Sequence, residues 1–172
     1  GVVVKNNSKT DLKKNYGDGD YSATFTVPAA KEMFNSGAVV VYTYRLGTGG
    51  KAATAEVTTG LTITAKYPGN VNISVAIQAK LSDASKKEVL VYFGTTLVEN
   101  IDFKADAANE GQNLIDAVNE DSKYIVASVT PEGTAPTTVP AVAVAAGALA
   151  GGQDPTVQNN DYSNAFDALE PY

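Results

Sequence analysis

The sequence predicts an α+β fold dominated by an antiparallel β-sandwich, with two or three short helices. Three observations predict it. Short segments rich in Val, Ile, Thr, Tyr and Phe recur between closely spaced Gly, Pro, Asn and Asp turns. Over 71–80, Val71, Ile73, Val75, Ile77 and Ala79 share one face by period two, while Asn72, Ser74, Ala76, Gln78 and Lys80 share the other. That is the pattern of a strand with one buried and one solvent face. Three stretches (28–36, 105–119 and 161–169) carry helical spacing or helix punctuation instead.

The elements follow in order. Residues 5–20 are polar, with Gly17-Asp18-Gly19-Asp20 at the end, and read as a loop or loosely held arm. Residues 21–27 alternate with β-formers and read as a strand. Pro28, which has no N–H to leave unpaired, suits the first turn of a helix that Gly37 closes in a left-handed conformation. Residues 38–45 read as a strand buried on both faces at its apolar start. It is joined through the turn Gly47-Thr48-Gly49-Gly50 toward 61–70, which Pro68-Gly69-Asn70 ends. Residues 51–57, 61–67 and 71–80 are three further strands, and 82–87 is a turn. Val89, Val91 and Phe93 alternate with Leu90 and Tyr92, which predicts a strand buried on both sides. Gly94-Thr95 turns the chain into a strand over 97–103. In the helix 105–119, Leu114, Ile115 and Val118 fall on one face. A strand follows over 124–129, then a Pro- and Thr-rich loop over 131–140. The small-residue run 139–150, broken by Pro140 and Gly147, reads as strand and loop. Gly151-Gly152-Gln153-Asp154-Pro155 is a second punctuated loop. The last helix, 161–169, should turn Phe166 and Leu169 inward before Pro171 stops it. This predicts an N-terminal arm or partial domain over 1–37, a β-sandwich domain over 38–155, and a helix over 156–172 leading onward. Gly1 in place of methionine, and an end just after a helical pattern, read as a piece cut from a longer protein.

Composition narrows the chemistry. The 172 residues include no cysteine and no histidine, which removes disulfides, thiol nucleophiles, the commonest general base and the commonest zinc ligand. The formal charge of −6 is dispersed; a nucleic-acid surface needs a Lys/Arg stripe, so no nucleic-acid partner is expected. No window approaches the roughly 18 apolar residues of a membrane helix, so no membrane partner is expected.

Several constellations invite a site and fail on spacing. Gly47-Thr48-Gly49-Gly50-Lys51 lacks the P-loop's first glycine, where Arg45 stands, and its Ser/Thr, where Ala52 stands; a hairpin turn is the better reading. Asp18-Gly19-Asp20 could start a calcium loop, but Ala29 occupies the twelfth position that needs Glu. Carboxylates such as Asn109-Glu110 and Glu120-Asp121 fall at helix starts and loop tips, where they suit dipoles and solubility. Ser82 to Lys87 is a solvated turn, and the sequons at Asn6 and Asn72 are chance. Tyr42 and Tyr44 share a strand face as sheet packing. The expectation is therefore no catalytic, cofactor-binding or metal-binding residue, no cofactor, and no enzyme.

The stretch Val41-Tyr42-Thr43-Tyr44-Arg45-Leu46-Gly47-Thr48-Gly49-Gly50-Lys51-Ala52 is followed by Ala65-Lys66-Tyr67-Pro68-Gly69 and the alternating 71–78. Later come Leu149-Ala150-Gly151-Gly152-Gln153-Asp154 and the helix from Asp161-Tyr162 to Leu169-Glu170. In order and spacing these pieces resemble the tail sheath proteins of contractile bacteriophages and phage-tail-like bacteriocins; the first 27 residues match poorly. The resemblance implies a structural subunit of the virion tail, made in the bacterial cytoplasm. Such subunits form stacked hexameric rings around a tail tube, and the baseplate triggers contraction that drives the tube through the bacterial envelope. It implies that this chain is mainly the outer β-sandwich domain, monomeric alone, with tube and baseplate contacts made elsewhere. Two other classes compete: a surface-exposed adhesin-like β-sandwich, and a carboxylate-dependent glycan hydrolase.

Overall fold

The structure, a computed structural model, describes residues 3–16, 26–130 and 133–172. The chain divides into two compact units: Gly1–Gly49 with Pro155–Tyr172, and Gly50–Asp154 between them.

In the first unit, strand β1 (Val3–Asn6) pairs antiparallel with β2 (Val41–Tyr44), in a register that sets Lys5 opposite Tyr42. Helix α1 (Lys9–Tyr16) and helix α2 (Thr26–Asn35) bury Leu12, Val27 and Ala30 against Val41. The expected polar arm over 5–20 is corrected here by a strand end and a helix. Ser8 starts α1: its Oγ accepts the Asp11 N–H at 3.0 Å, while Asp11 Oδ2 accepts the Asn7 N–H at 2.9 Å. The expected strand 21–27 lies mostly outside the described residues; its last two positions open α2. Gly37 does close α2, at φ 97°. Its N–H bonds the Phe34 carbonyl and the Ala38 N–H bonds that of Met33, the paired bonds of a Schellman ending. The apolar start expected of a doubly buried strand is instead exposed, Val39 being 80 % accessible. The polar interior of this unit centres on Asn6, which is fully buried. Its Nδ2 donates to the Val41 carbonyl at 3.1 Å and to Thr43 Oγ1 at 3.0 Å, and Tyr16 Oη lies 2.6 Å from that same hydroxyl.

Helix α4 (Asn159–Leu169) closes the first unit. Gln158 and Asp161 form a capping box at its start. Phe166, expected inward, is 72 % exposed, and Ala165 is the buried residue. The face that touches β2 therefore sits one position from the one that apolar spacing suggests. Tyr172 stacks on Tyr42, ring centroids 4.4 Å apart.

The second unit is a β-sandwich with one helix, without the strand 38–45 that the sequence predicts as part of it. One sheet orders β3 (Thr54–Thr58), β4 (Leu61–Ala65) and β8 (Ile125–Val129); the other orders β5 (Ile73–Ala79), β6 (Lys86–Phe93) and β7 (Thr96–Lys104), all antiparallel. Helix α3 (Glu110–Asp121) packs on β7 and β8 and so ties the sheets together. One continuous apolar core fills the unit. Leu61 and Ile63 of β4, Val75 and Ile77 of β5, Val89 and Val91 of β6, Leu114 and Val118 of α3, and Ile125 of β8 are all essentially inaccessible. Ile73, Val75 and Ile77 of β5 and the helical face of α3 land where the sequence places them, whereas Ala79, at the end of the same face of β5, is exposed.

Four expectations are corrected. The pair expected from 38–47 and 61–70 does not form: β2 pairs with β1, and β4 lies between β3 and β8. The second face of β5 is solvated only at Gln78; Ser74 and Ala76, small and opposite Tyr92 and Leu90, are buried. Phe93, at the hairpin end of β6, is half exposed. The run 139–150 forms no regular strand. It is a strap that bonds along the free edge of β5: the Val75 N–H to the Gly147 carbonyl at 2.9 Å, the Leu149 N–H to the Ile73 carbonyl at 3.0 Å, and Val142 and Ile77 reciprocally at 2.9 Å.

Candidate functional site

Parts of the segments that carry the family resemblance, Lys51, Gly69 and residues 150–154, come together where the second unit begins and ends. Lys51 and Gln153 exchange both backbone hydrogen bonds, at 3.0 and 2.8 Å, and Thr54 and Ala150 do the same at 2.8 and 2.9 Å. The Gly69 N–H bonds the Lys51 carbonyl at 3.1 Å, and Asp154 Oδ1 accepts the Asn70 N–H at 2.9 Å. A Cβ on Gly152 would lie 2.1 Å from the Gly69 carbonyl oxygen. Gly152 is thus glycine because another backbone passes against it, whereas Gly151, at φ 76° with open space around it, is glycine for its conformation. Gly151→Ala should cost about 1–2 kcal/mol by the left-handed strain alone, measured as a shift in the urea midpoint with an unchanged slope.

Within the first unit, Thr48 and Thr156 likewise exchange two backbone bonds at 3.0 Å. The stretch 47–51 is therefore not the hairpin turn expected. It lies antiparallel to the returning chain, and Gly47 takes φ 101° where a Cβ would meet Pro155 at 2.8 Å.

A second polar cluster fixes the strap. Glu110, 6 % exposed, accepts Lys87 Nζ at 2.7 Å and the Val139 N–H at 2.6 Å through Oε2, and Lys87 also donates to the Val139 carbonyl at 2.7 Å. Burial works to raise the Glu110 pKa, but the Lys87 hydrogen bond and the Val139 N–H outweigh it and hold the carboxyl below its ordinary 4.5. The Glu110 and Gly111 N–H groups bond the carbonyls of Thr137 and Pro136, so the helix start grips the strap on two sides.

The positions weighed for chemistry are scattered. Glu110 is a buried structural anchor rather than a solubilising charge. Glu120 and Asp121 sit exposed in the last turn of α3, where the helix dipole disfavours them, contrary to expectation. Asp83 accepts the Ser85 N–H at 3.0 Å and hydroxyl at 2.6 Å, fixing the turn before β6. Asn6 of one sequon is buried. Asp18-Gly19-Asp20 lies outside the described residues. Among the described residues no three Asp or Glu side chains gather, and no helix is long and apolar enough to cross a membrane. The arrangement offers backbone ladders and close glycine contacts, which fix the path of the chain.

A family model described as the phage tail sheath protein beta-sandwich domain matches residues 48–154, nearly the bounds of the second unit. The crystal structure of a sheath tail protein from Listeria innocua is similar over 99 % of this chain, at 27 % identity and a TM-score of 0.62. A sheath tail protein from Desulfitobacterium hafniense shares the fold over 99 % of the chain at 21 % identity and a TM-score of 0.62. The chain spans 35 % and 36 % of the lengths of those two proteins. No curated sequence matches it. The chain belongs to the phage tail sheath family, a family of structural tail components, and residues 48–154 are its β-sandwich domain.

Proposed function

We propose that the chain is part of a subunit of a contractile sheath, in which stacked hexameric rings shorten and drive the tail tube through the bacterial envelope. The second unit is its outer domain. The observation that carries this reading is the paired closure of that unit. The chain leaves at Gly50 and returns at Asp154 through adjacent, hydrogen-bonded backbones, so a whole sandwich is inserted at one point of the chain's path. A load entering through those two ends meets the Lys51–Gln153 and Thr54–Ala150 bonds before it reaches the core. The unit can then move as one body while the energy of contraction resides in contacts between subunits, with no nucleotide, metal or catalytic group. Tube, baseplate and ring contacts belong to regions outside these 172 residues, and assembly takes place in the host cytoplasm.

Two results follow. The isolated chain should scatter light as a 17.8 kDa monomer; a stable hexamer would contradict the placement of ring contacts elsewhere. Leu81, fully exposed beside the turn before β6, is the position for a label. In assembled sheaths a gold particle attached through Leu81→Cys should decorate the outside. Decoration confined to the lumen would sink the outer assignment.

A further inference from the structure

Every sheet edge in the second unit is occupied or charged, and one is closed in an unusual way. The edge of β3 carries the Thr54–Ala150 bonds, and the edge of β5 carries the strap. The edge strand β7 carries Glu99, Asp102 and Lys104, and Asn113 Nδ2 caps the Lys104 carbonyl at 3.1 Å. At β8 no further strand pairs beyond β4 among the described residues, and helix α3 packs against it. Instead, Asn119 of α3 presents its carboxamide to Ala127: Nδ2 donates to the Ala127 carbonyl and Oδ1 accepts the Ala127 N–H, both at 2.9 Å. Two positions earlier, Ser122 Oγ accepts the Ile125 N–H at 3.0 Å, and Ser122 in turn donates to Glu99 Oε2 at 2.7 Å.

A carboxamide has the donor and acceptor spacing of a peptide group, so Asn119 makes at Ala127 the two bonds that an added strand would make. An edge strand with free N–H and C=O groups is a template for pairing with another chain. Ala127 is buried and β8 consists of Ile125, Val126, Ala127, Ser128 and Val129, an apolar run with high strand propensity and no charge. We propose that Asn119 is a side-chain plug that keeps β8 from pairing with a second copy of this chain. The device goes beyond the sheath assignment: it concerns a contact the protein avoids. It matters most where many copies are held close together.

The test uses the full 172-residue chain. Asn119→Ala should fold with a wild-type circular dichroism spectrum and show amide exchange at Ala127 faster by about tenfold, the loss of one hydrogen bond. It should also self-associate as concentration rises. Asp116→Ala, one turn earlier on the exposed face of α3, should stay monomeric. Adding Ser128→Lys, a charge on the exposed position of the same strand, should return Asn119→Ala to a monomer by protecting the edge, without restoring slow exchange at Ala127. Asn119→Ser provides a milder opening should the alanine variant fail to fold. Folded Asn119→Ala or Asn119→Ser that exchanges fast yet stays monomeric at every concentration would overturn the proposal. So would association that Ser128→Lys leaves unchanged, and so would failure of both variants to fold, which would make Asn119 a folding residue only.

Discussion

Gly147→Ala is expected to destabilise the chain by about 3 kcal/mol, a sum of backbone overpacking and the loss of one or two strap hydrogen bonds. The added Cβ would stand 2.0 Å from the Val75 carbonyl oxygen and 2.9 Å from its carbonyl carbon. Both contacts are to backbone, so no rotamer change relieves them. The strap has to lift from β5, and the bonds first at risk are Val75 N–H to Gly147 and Leu149 N–H to Ile73. Urea unfolding should show a lower midpoint, and amide exchange should quicken at Val75 before it does in β6. Marginal domains hold only about 5–15 kcal/mol in total, so the variant should be visibly less stable at ambient temperature. A midpoint within experimental error of wild type would mean that the strap does not lie against β5 as described.

Removing the anchor at the other end of the strap should cost a similar amount. Glu110→Ala leaves Lys87, whose side chain is 24 % exposed, with its charge partly buried and without its carboxylate partner, and frees the Val139 N–H. The expected loss is about 3 kcal/mol at neutral pH, the low end for breaking a buried ion pair. Glu110→Gln should lose less, since an amide oxygen can still accept one of the two bonds. The same pair sets an acid dependence. The Glu110 pKa is depressed in the folded state, so the unfolded chain takes up the proton first as pH falls. The stabilisation is complete above the ordinary value of 4.5 and drains away as pH drops below it toward the depressed folded-state pKa. Wild-type stability should therefore fall more steeply below that pH than the stability of Glu110→Gln. Parallel curves for the two proteins would remove Glu110 as the source.

How far the fold is legible follows from which forces act locally. The alternation over 71–80 and the spacing of Leu114, Ile115 and Val118 report burial directly: Ile73, Val75 and Ile77 and the three helix residues pack inward as their periodicity says, while Ser74 and Ala76 are buried as well. The Gly37 ending was equally readable, because a left-handed position and the chain direction suffice to define it. Helix α1 is harder to see. Its residues are polar apart from Leu12 and Tyr16, yet Ser8-Lys9-Thr10-Asp11 is a helix-start signature that outweighs the polarity. Phe166 misleads for a different reason: two apolar residues three apart mark a face, but only a partner decides whether it is covered. Pairing between distant segments is the least legible feature. Nothing local in 39–46 says that its partner is Val3–Asn6, and nothing in the small-residue run 139–150 says that it will bond irregularly along a strand. The junction glycines stand between these cases. Their presence was evident, but that Gly152 faces the Gly69 carbonyl while Gly151 faces open space depends on the closed fold.

Electron cryomicroscopy of sheaths assembled from a protein that contains this chain would place the sandwich directly. The predicted result is a hollow tube of stacked rings in which residues 50–154 appear as a compact sandwich on the outer surface, attached through the paired backbones at Lys51 and Gln153. A tube whose sandwich lines the lumen, or a sandwich whose two ends enter the body of the subunit at separate places, would contradict it.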